Sequence, residues 1–311
     1  MRKTVLLLTA AFLTTISANI FAQSAGTGVA PAMGDVHTYS VTLNAGNTYT
    51  WDITDDIAGT NSVAGSIATL SSSGGEDINS IDITWVNPTI GTMYYVHVTE
   101  TDGNGCSNRK ALAVSPQNMF QLEIVNVDLN NADDPNGEDY EICPADVLIT
   151  AYTGDNDGTL AEAQEFTYDY LRDSVFYKVT ATGINLTNTD WSPQFTIAHD
   201  GISGTAVTAG WATSIDGTYT MGLAVDGSTN DIDVLTSQTT SGEIWIKIIV
   251  DNADNLTGNE GLAANDVTVT LLGGADESED ENGNDATSLG NGSRNQIISA
   301  RPATTGISTS E

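Results

Sequence analysis

The sequence predicts an all-β protein made of two tandem β-sandwich domains, and three observations support this class. Runs of alternating apolar and polar residues, bounded by Gly, Pro and Asn, recur along the chain, as is typical of half-buried antiparallel strands. Helical periodicity is nearly absent. One strand-turn-strand unit occurs twice: Trp85 precedes a Gly-Thr pair at residues 91–92, and Trp211 precedes another at residues 217–218 with the same spacing.

The first residues are typical of a secretory signal peptide, which we place at residues 1–24. Arg2 and Lys3 form a basic start, residues 5–13 are mostly apolar, and Ala22 provides a small side chain near a cleavage point. The apolar run is too short to span a bilayer, and no later run reaches the roughly 18 apolar residues that a membrane helix needs. We therefore expect export to the cell surface or the medium, with the periplasm left open, and no membrane span.

The chain is strongly acidic, with 41 Asp and Glu residues against nine Lys and Arg and a formal net charge of −32. A surface of this charge repels nucleic acid and anionic membranes, so neither is expected as a partner. It also attracts divalent cations.

Alternating runs place the strands in two domains. A Gly/Ala-rich linker at residues 25–34 precedes a first sandwich at 35–115 and a second, larger sandwich at 118–273. First-domain strands are expected at residues 37–43, 48–53, 66–70, 78–86, 93–99 and 111–114. Second-domain strands are expected at residues 120–127, 146–152, 166–170, 174–181, 194–199, 205–211, 218–225, 232–235, 243–250 and 266–272. The run 243–250 has apolar residues on both faces, which predicts a central strand.

The C-terminal region, residues 274–311, is predicted to be a flexible acidic segment and tail. Residues 276–285 contain six acids in ten positions, a composition typical of disordered segments. Arg294 and Arg301 follow it. A cationic tail over residues 295–311 on an anionic body predicts self-association, in which the tail docks onto a neighbouring copy or adds a strand to an open sheet edge. The alternatives are a frayed terminus or a late strand.

Three segments carry a resemblance to a known family: TYTWDI at residues 48–53, GTMYYVHVTETDGNGCSN at 91–108 and EICPADVLITA at 141–151. They resemble the Ig-like/PKD-like repeats of secreted and cell-surface proteins of the Bacteroidetes. The resemblance covers the first domain well and the second only around Cys143 and residues 218–225. It implies surface display with adhesion, matrix or gliding-related roles, and no chemistry.

The two cysteines depart from the family pattern, in which a disulfide joins an early strand to a Gly-Cys turn within one domain. Here the turn cysteine, Cys106, lies in the first domain and the early-strand cysteine, Cys143, lies in the second. Two cysteines in an exported chain favour a disulfide, which would connect the domains and stabilise the fold by roughly 3–4 kcal/mol. The alternative is two buried thiols in separate cores.

Calcium is the strongest metal hypothesis, because Ca²⁺ prefers hard oxygen ligands supplied by turns. The candidate ligands in two Asp-rich loops are Asp128, Asn130, Asp133, Asp134, Asp139, Asp155, Asp157 and Glu162. Neither loop has the spacing of an EF-hand. The alternative is two solvated loops, since Asp and Asn are common in turns for conformational reasons alone.

The aromatic residues allow two interpretations. Four of them could form a carbohydrate-binding face: Trp191, Trp211, Tyr168 and Tyr170. Three more are expected to fill sandwich cores, as Trp commonly does in Ig-like folds: Trp51, Trp85 and Trp245.

No catalytic motif supports an enzyme. His37, His97 and His199 lie in strand-like runs without a second ligand at metal-binding spacing, and His97 is expected to point outward. The chain contains no H-E-x-x-H, G-x-S-x-G or Walker pattern. A glycosidase needs two positioned carboxylates, which spacing cannot identify in so acidic a sequence.

The sequence therefore predicts a non-catalytic exported structural or adhesion protein with protein or glycan partners at the cell surface or in the matrix. A Ca²⁺-dependent carbohydrate-binding module is the alternative. A secreted hydrolase is the third hypothesis.

Overall fold

The computed structural model describes residues 26–127, 139–154, 165–200, 206–235, 237–238, 242–252, 264–274 and 277–302, together with Ile307. Within these residues the regular elements are β-strands, and they form two successive β-sandwiches with separate hydrophobic cores. The predicted all-β class is confirmed. The signal peptide predicted at residues 1–24 lies outside the described residues.

The first sandwich contains seven strands. They are β1 (Val36–Ser40), β2 (Thr48–Thr54), β3 (Thr69–Leu70), β4 (Gly74–Glu76), β5 (Ser80–Thr84), β6 (Tyr94–Thr101) and β7 (Ser107–Val114). One sheet has the order β1-β5-β3 and the other the order β4-β2-β6-β7. Strand β7 is therefore an edge, and all its residues except Val114 are exposed.

Alternation along β2 builds the first core. Tyr49, Trp51 and Ile53 turn inward, while the polar residues between them face outward or lie at the margin. Trp85 is fully buried and donates its indole N–H to the hydroxyl of Tyr39 at 3.1 Å. The prediction that Trp51 and Trp85 fill a sandwich core is confirmed.

His97 lies on the outer face of β6, as predicted, but it is not exposed to solvent. The side chain does point away from the core, yet only 3% of it is exposed. Its Nε2 lies 3.0 Å from Thr54 Oγ1. On the same face of β7, Arg109 donates to the carbonyl oxygens of Ala58 and Gly59. The loop after β2 therefore folds over this face and buries the imidazole.

The second sandwich and its additions contain fifteen strands, which follow in chain order. They are β8 (Gln121–Val127), β9 (Asp139–Ile142), β10 (Leu148–Tyr152), β11 (Phe166–Asp169), β12 (Arg172–Thr182), β13 (Trp191–Ser192), β14 (Gln194–Asp200), β15 (Val207–Ala212), β16 (Thr220–Leu223), β17 (Thr229–Asp231), β18 (Glu243–Asp251), β19 (Asn265–Leu271), β20 (Glu279–Asp280), β21 (Ser288–Gly290) and β22 (Ser293–Ile298). A six-stranded sheet has the order β16-β15-β18-β12-β8-β21, and a five-stranded sheet has the order β17-β14-β19-β22-β9. Two small pairs, β13-β20 and β10-β11, are separate.

Strand β18 lies between β15 and β12, so it is central as predicted. On its inner face Ile244, Ile246 and Ile248 are completely buried in the core between the two large sheets. Trp245 lies on its outer face and packs with Phe176 in a small separate cluster. Trp245 is thus buried, as predicted, although outside the main core.

The residues after 273 correct the prediction of a disordered segment at 274–311. Strand β22 pairs with β19 from Ser293 to Ile298, and Ile298 is buried in the second core. Within the acidic stretch, Asp280 is buried and its Oδ1 accepts the backbone amides of Asn282 and Asn284, each at 3.0 Å. Internal pairing therefore stabilises a region whose composition alone indicates disorder.

The same strand changes the prediction about the C-terminal tail. Arg294 and residues 295–298 are paired with β19 inside the protein's own sheet. They are not available to dock onto a neighbouring copy as a free strand. Arg301 contacts the protein's own second sandwich, as described below.

The segment predicted as a linker, residues 25–34, packs between the two sandwiches where it is described. Met33 is buried in the second core, and its carbonyl oxygen accepts the amide of Asn185 at 3.1 Å. The amide of Gly34 donates to the carbonyl oxygen of Trp85 in the first sandwich at 2.8 Å. The buried carboxylate of Asp35 accepts two backbone amides of this segment, at 2.7 and 2.8 Å. The segment thus contacts both sandwiches.

Candidate functional site

The β10–β11 hairpin carries a concentrated group of exposed apolar side chains. Every residue of β10 is exposed, and the hairpin pairs with neither large sheet. The exposed large apolar residues on or beside it are Val147, Leu148, Ile149, Tyr152, Phe166 and Tyr168. Contiguous exposed apolar surface on a folded protein commonly marks an interaction site.

The register of the hairpin places its largest side chains on one face. Ile149 lies opposite Tyr168, and Tyr152 lies opposite Phe166. Residues directly opposite in an antiparallel pair project to the same face, as do residues two apart on one strand. We call this face, with Tyr170 beyond the end of β11, the aromatic stripe: Ile149, Tyr152, Phe166, Tyr168 and Tyr170.

A β-bulge makes the stripe continuous. Ile149 and Tyr152 are three residues apart, so regular alternation would place them on opposite faces. The pairing shifts between Ile149 and Ala151, which inserts one extra residue into β10. The hydroxyl of Thr150, at this shift, donates to the carbonyl oxygen of Thr167 at 3.1 Å. The bulge therefore returns Tyr152 to the face that Ile149 occupies.

The rings of the stripe lie at ordinary aromatic contact distances. The ring centroids of Tyr152 and Phe166 are 5.5 Å apart, and those of Tyr168 and Tyr170 are 6.3 Å apart. Both values fall within the range of favourable aromatic pairs. Tyr168 is 44% exposed and Ile149 is 64% exposed. The stripe thus presents aromatic faces and edges to solvent in a fixed order along β11.

A buried polar cluster connects the base of the hairpin to the six-stranded sheet. The carboxylate of Asp173 accepts the amide of Ala145 at 2.6 Å and the side-chain amide of Asn252 at 2.7 Å. Asn252 also donates to the carbonyl oxygen of Tyr170 at 3.1 Å. Both Asp173 and Asn252 are buried. These bonds join the segments before β10 and after β11 to the end of β18.

Arg301 completes the base from the C-terminal side. Its guanidinium donates to the carbonyl oxygens of Ala145 and Tyr170. Its Cζ also lies 5.6 Å from the ring centroid of Tyr170, in cation–π range. Arg301 therefore binds both ends of the hairpin at once.

The predicted carbohydrate-binding face is partly correct in its residues. Tyr168 and Tyr170 lie together on the aromatic stripe. Trp191 is only 3% exposed and belongs to the second core, and Trp211 is partly buried against the same core. The sequence reasoning missed Ile149, whose place on the stripe depends on the bulge, and it also missed Tyr152 and Phe166. The spacing of Phe166, Tyr168 and Tyr170 was the signal available in the sequence.

The predicted calcium ligands lie almost entirely outside the described residues. These ligands are Asp128, Asn130, Asp133, Asp134, Asp155, Asp157 and Glu162. Asp139 begins β9. Across the described ranges, no three His, Cys, Asp or Glu side chains are grouped so that they could hold a metal ion. Calcium binding stays a prediction.

The cysteines differ from both predicted alternatives. Cys106 and Cys143 are free and exposed in the structure. They form neither the predicted bridge between the domains nor a pair of buried thiols. Cys106 lies in the tight turn between β6 and β7, where its amide donates to Asp102 Oδ1 at 2.9 Å.

The part of the chain that the structure describes contains no helix with the length and apolar character needed to cross a membrane.

Comparisons with solved structures return β-sandwich proteins of low similarity. An α-L-rhamnosidase from Dictyoglumus thermophilum is 9% identical with a TM-score of 0.21; the match covers 77% of this chain but only 26% of the enzyme. A carbohydrate-binding module of the β-sandwich superfamily is 12% identical with a TM-score of 0.21, and the match covers 79% of this chain and 92% of the module. The major pilin subunit BcpA of Bacillus cereus is 9% identical with a TM-score of 0.25, with 82% and 65% covered.

These similarities are too low to carry an argument about function. No family model matches the chain, and no curated protein matches it.

Proposed function

We propose that this chain is an exported, non-catalytic structural or adhesion protein that binds a partner through the aromatic stripe of the β10–β11 hairpin. The observation that carries the proposal is the exposure of Ile149, Tyr152, Phe166 and Tyr168 on one face of a hairpin that pairs with no other strand of the described part of the chain. Complete exposure of a large apolar side chain costs about 1.5–3 kcal/mol compared with full burial, and these four side chains, which are 37–64% exposed, each retain part of that cost. A partner that covers them recovers this free energy.

The chemistry of the stripe suits a protein or glycan surface. Tyrosine combines a large apolar body with a polar hydroxyl, which is why tyrosine is enriched in interfaces that are partly wet. The hairpin is fixed at its base by Asp173, Asn252 and Arg301, so little order is lost on binding. The partner is expected at the cell surface or in the extracellular matrix, because the first residues are typical of a signal peptide.

Glycan binding is the second candidate function, and a specific feature favours it. Phe166 and Tyr168 lie at alternate positions on β11, and Tyr170, just beyond the strand, continues this spacing with its ring beside that of Tyr168. Such a row can stack against the apolar C–H faces of successive sugar units. The calcium dependence that the sequence suggests belongs to this candidate.

The test compares the wild-type protein with Tyr168→Ala in binding to producing cells and to a glycan array. Tyr168 is a suitable target because its ring lies in the middle of the stripe and is largely exposed. Met221→Ala serves as the control, since Met221 is exposed to a similar degree but lies on β16. We expect Tyr168→Ala to weaken binding at least about tenfold, as for a central interface aromatic. Equal binding by all three proteins would show that the aromatic stripe is not the binding surface.

The glycan array separates the two candidates. Binding to cells together with binding to one class of neutral polysaccharide supports the carbohydrate-binding function. Binding to cells that survives removal of surface glycans, but not protease treatment, supports a protein partner.

A further inference from the structure

A second surface, on the first sandwich and distant in sequence from the hairpin, consists of an open groove between the edge strands β1 and β7. The groove has a volume of about 530 Å³. Its floor is formed by Val96, Val98 and Trp51, and its walls by Tyr39 and Leu112 with their neighbours. A second depression of about 610 Å³ shares Val41, Val98 and Lys110 with it and continues toward Asn44 and Asn108. Together they form one channel along β7.

Strand β7 presents unpaired backbone groups to this groove. The carbonyl oxygen of Cys106 accepts a hydrogen bond from the amide of Asp102 across the β6–β7 turn. Hydrogen-bonded and non-hydrogen-bonded pairs alternate along an antiparallel ladder, so the even-numbered residues of β7 are the ones that bond to β6. The residues between them, including Arg109, Ala111 and Ala113, therefore turn their N–H and C=O groups away from β6. No strand pairs with that edge in the described part of the chain.

The chain itself shows that this edge accepts an added segment. Just beyond β7, the amide of Ser115 donates to the carbonyl oxygen of Val29, and the amide of Gln117 donates to that of Pro31, both at 2.9 Å. The two bonds advance two residues on each side, as in a parallel strand pair. The chain folds back between Thr27 and Ala30, and no described residue pairs with the rest of the edge.

Lys110 is the charged residue that lines the first depression, and both Lys110 and Glu100 line the second. Lys110 lies opposite Val98 on β6 and so shares its inward face. The side-chain ammonium of Lys110 forms no ion pair or hydrogen bond with any described residue, although the chain carries 41 acids. The nearby carboxylate of Glu100 is already bound by the side-chain amides of Asn44 and Asn47, each at 2.7 Å. An unneutralised cation therefore lies beside an open strand edge.

We propose that the groove between β1 and β7 binds an extended acidic segment of a partner protein, which adds to β7 as a further strand and places a carboxylate against Lys110. Main-chain bonds to Ala111 and Ala113 supply affinity in this mode, and alternate side chains supply specificity. Apolar side chains of the added strand contact Val98 and Leu112. Lys110 at the same time disfavours neutral or basic strands, including uncontrolled edge pairing.

The test uses two labelled heptapeptides, TVEVEVT and TVKVKVT, which differ only at the charged positions. Fluorescence polarisation with the full chain is expected to show at least about tenfold tighter binding of the acidic peptide, with Kd below about 1 mM. Lys110→Glu is expected to reverse the preference. Arg294→Glu makes the same charge change on β22 and is expected to leave the preference unchanged.

A backbone variant tests the strand-addition geometry. Ala111→Pro removes a donor that faces the open edge and breaks no bond to β6, a position at which proline is tolerated. The substitution is expected to weaken binding of the acidic peptide, while the melting temperature of the protein stays close to that of the wild type. Tyr168→Ala is expected to leave peptide binding intact, so failure here and failure of the hairpin proposal are distinguishable.

The proposal would be overturned by no binding of the acidic peptide at about 1 mM, by an unchanged preference in Lys110→Glu, or by an equal effect of Arg294→Glu. If Ala111→Pro keeps its melting temperature and full affinity, strand addition on β7 is wrong. Dimerisation of Lys110→Leu without binding of either peptide would show that Lys110 only prevents edge-to-edge pairing of two copies. This result would also contradict the proposal.

Discussion

Arg301 holds its guanidinium 5.6 Å from the ring centroid of Tyr170, so a residue near the C-terminus fixes the base of the hairpin that bears the aromatic stripe. The two residues are far apart in sequence, and the same guanidinium also donates to the carbonyl oxygens of Tyr170 and Ala145. The base of the stripe therefore depends on a contact between residues that are 131 positions apart in sequence.

Arg301→Ala is predicted to loosen the hairpin without unfolding the protein. The loss of the cation–π contact and of two hydrogen bonds leaves the carbonyl oxygens of Ala145 and Tyr170 with fewer partners. Hydrogen exchange of the β10 and β11 amides is expected to accelerate at least about tenfold, with exchange in β18 unchanged. Arg294→Ala is the matched control. Similar exchange rates in both variants and the wild type would show that Arg301 does not hold the hairpin.

Asp173→Ala is predicted to destabilise the second sandwich by about 1–3 kcal/mol. The substitution leaves the buried side-chain amide of Asn252 and the amide of Ala145 without their acceptor. Denaturant unfolding measures the change. Asp226→Ala, in an exposed turn, is expected to have a smaller effect. A value for Asp173→Ala no larger than this control would contradict the role of the buried cluster.

His97 predicts a pH dependence of stability in the first sandwich. Burial lowers the pKa of His97 below its ordinary value of 6.5, and the nearby Arg109 guanidinium acts in the same direction. The unfolded chain therefore binds a proton at His97 more readily than the folded chain does. The stability that neutral His97 contributes is complete above pH 6.5 and is lost as the pH falls below that value. The difference in unfolding free energy between the wild type and His97→Gln, measured from pH 7.5 to pH 5, isolates this effect from other titrations. A pH-independent difference would contradict the assignment.

Trp85→Ala is predicted to destabilise the first sandwich by about 3–5 kcal/mol, because a fully buried indole leaves a large cavity. Tyr39→Phe removes the acceptor of the indole N–H and the donor to the carbonyl oxygen of Gly28, and it is expected to cost about 1–3 kcal/mol. Calorimetry is the measurement, and equal effects of the two substitutions would show that packing around Trp85 is not the main contribution.

Calcium binding by the Asp155 and Asp157 loop is tested by heat denaturation in millimolar Ca²⁺ and in EDTA. A site specific to the folded state raises the melting temperature in Ca²⁺ by mass action. Asp157→Asn is expected to abolish the increase, and Asp216→Asn, in a turn elsewhere, is expected to preserve it. Equal melting temperatures of the wild type in both solutions would show that no structural calcium is bound.

Long strands were predictable from the sequence because their apolar and polar residues alternate, and this alternation indicates which face is buried. The run around Ile246 and the run around Trp51 are examples, since each alternation matches an observed strand. Strand β4 was not predictable in this way. It contains Gly74, whose added Cβ would lie 2.0 Å from the carbonyl oxygen of Tyr49, so the strand pairs by close backbone approach without an apolar side chain.

For a different reason, the sequence left the region of strand β22 open between a tail and a late strand. Its inward positions include Gln296, a polar residue buried by donating its side-chain amide to the carbonyl oxygen of Phe176. A hydropathy pattern records only apolar burial, so a strand held by a buried amide is indistinguishable from a polar tail. The candidate site shows the same limit: Tyr168 and Tyr170 were identifiable by type, whereas the bulge at Thr150 that aligns Tyr152 with them depends on strand pairing.

The most direct test of the proposed binding surface is oxidative footprinting of the protein free in solution and bound to the producing cells. If the aromatic stripe is the contact surface, labelling of Tyr152, Phe166 and Tyr168 falls on binding while labelling of Met221 is unchanged. Equal labelling of the three stripe residues in the free and bound protein would contradict the proposal.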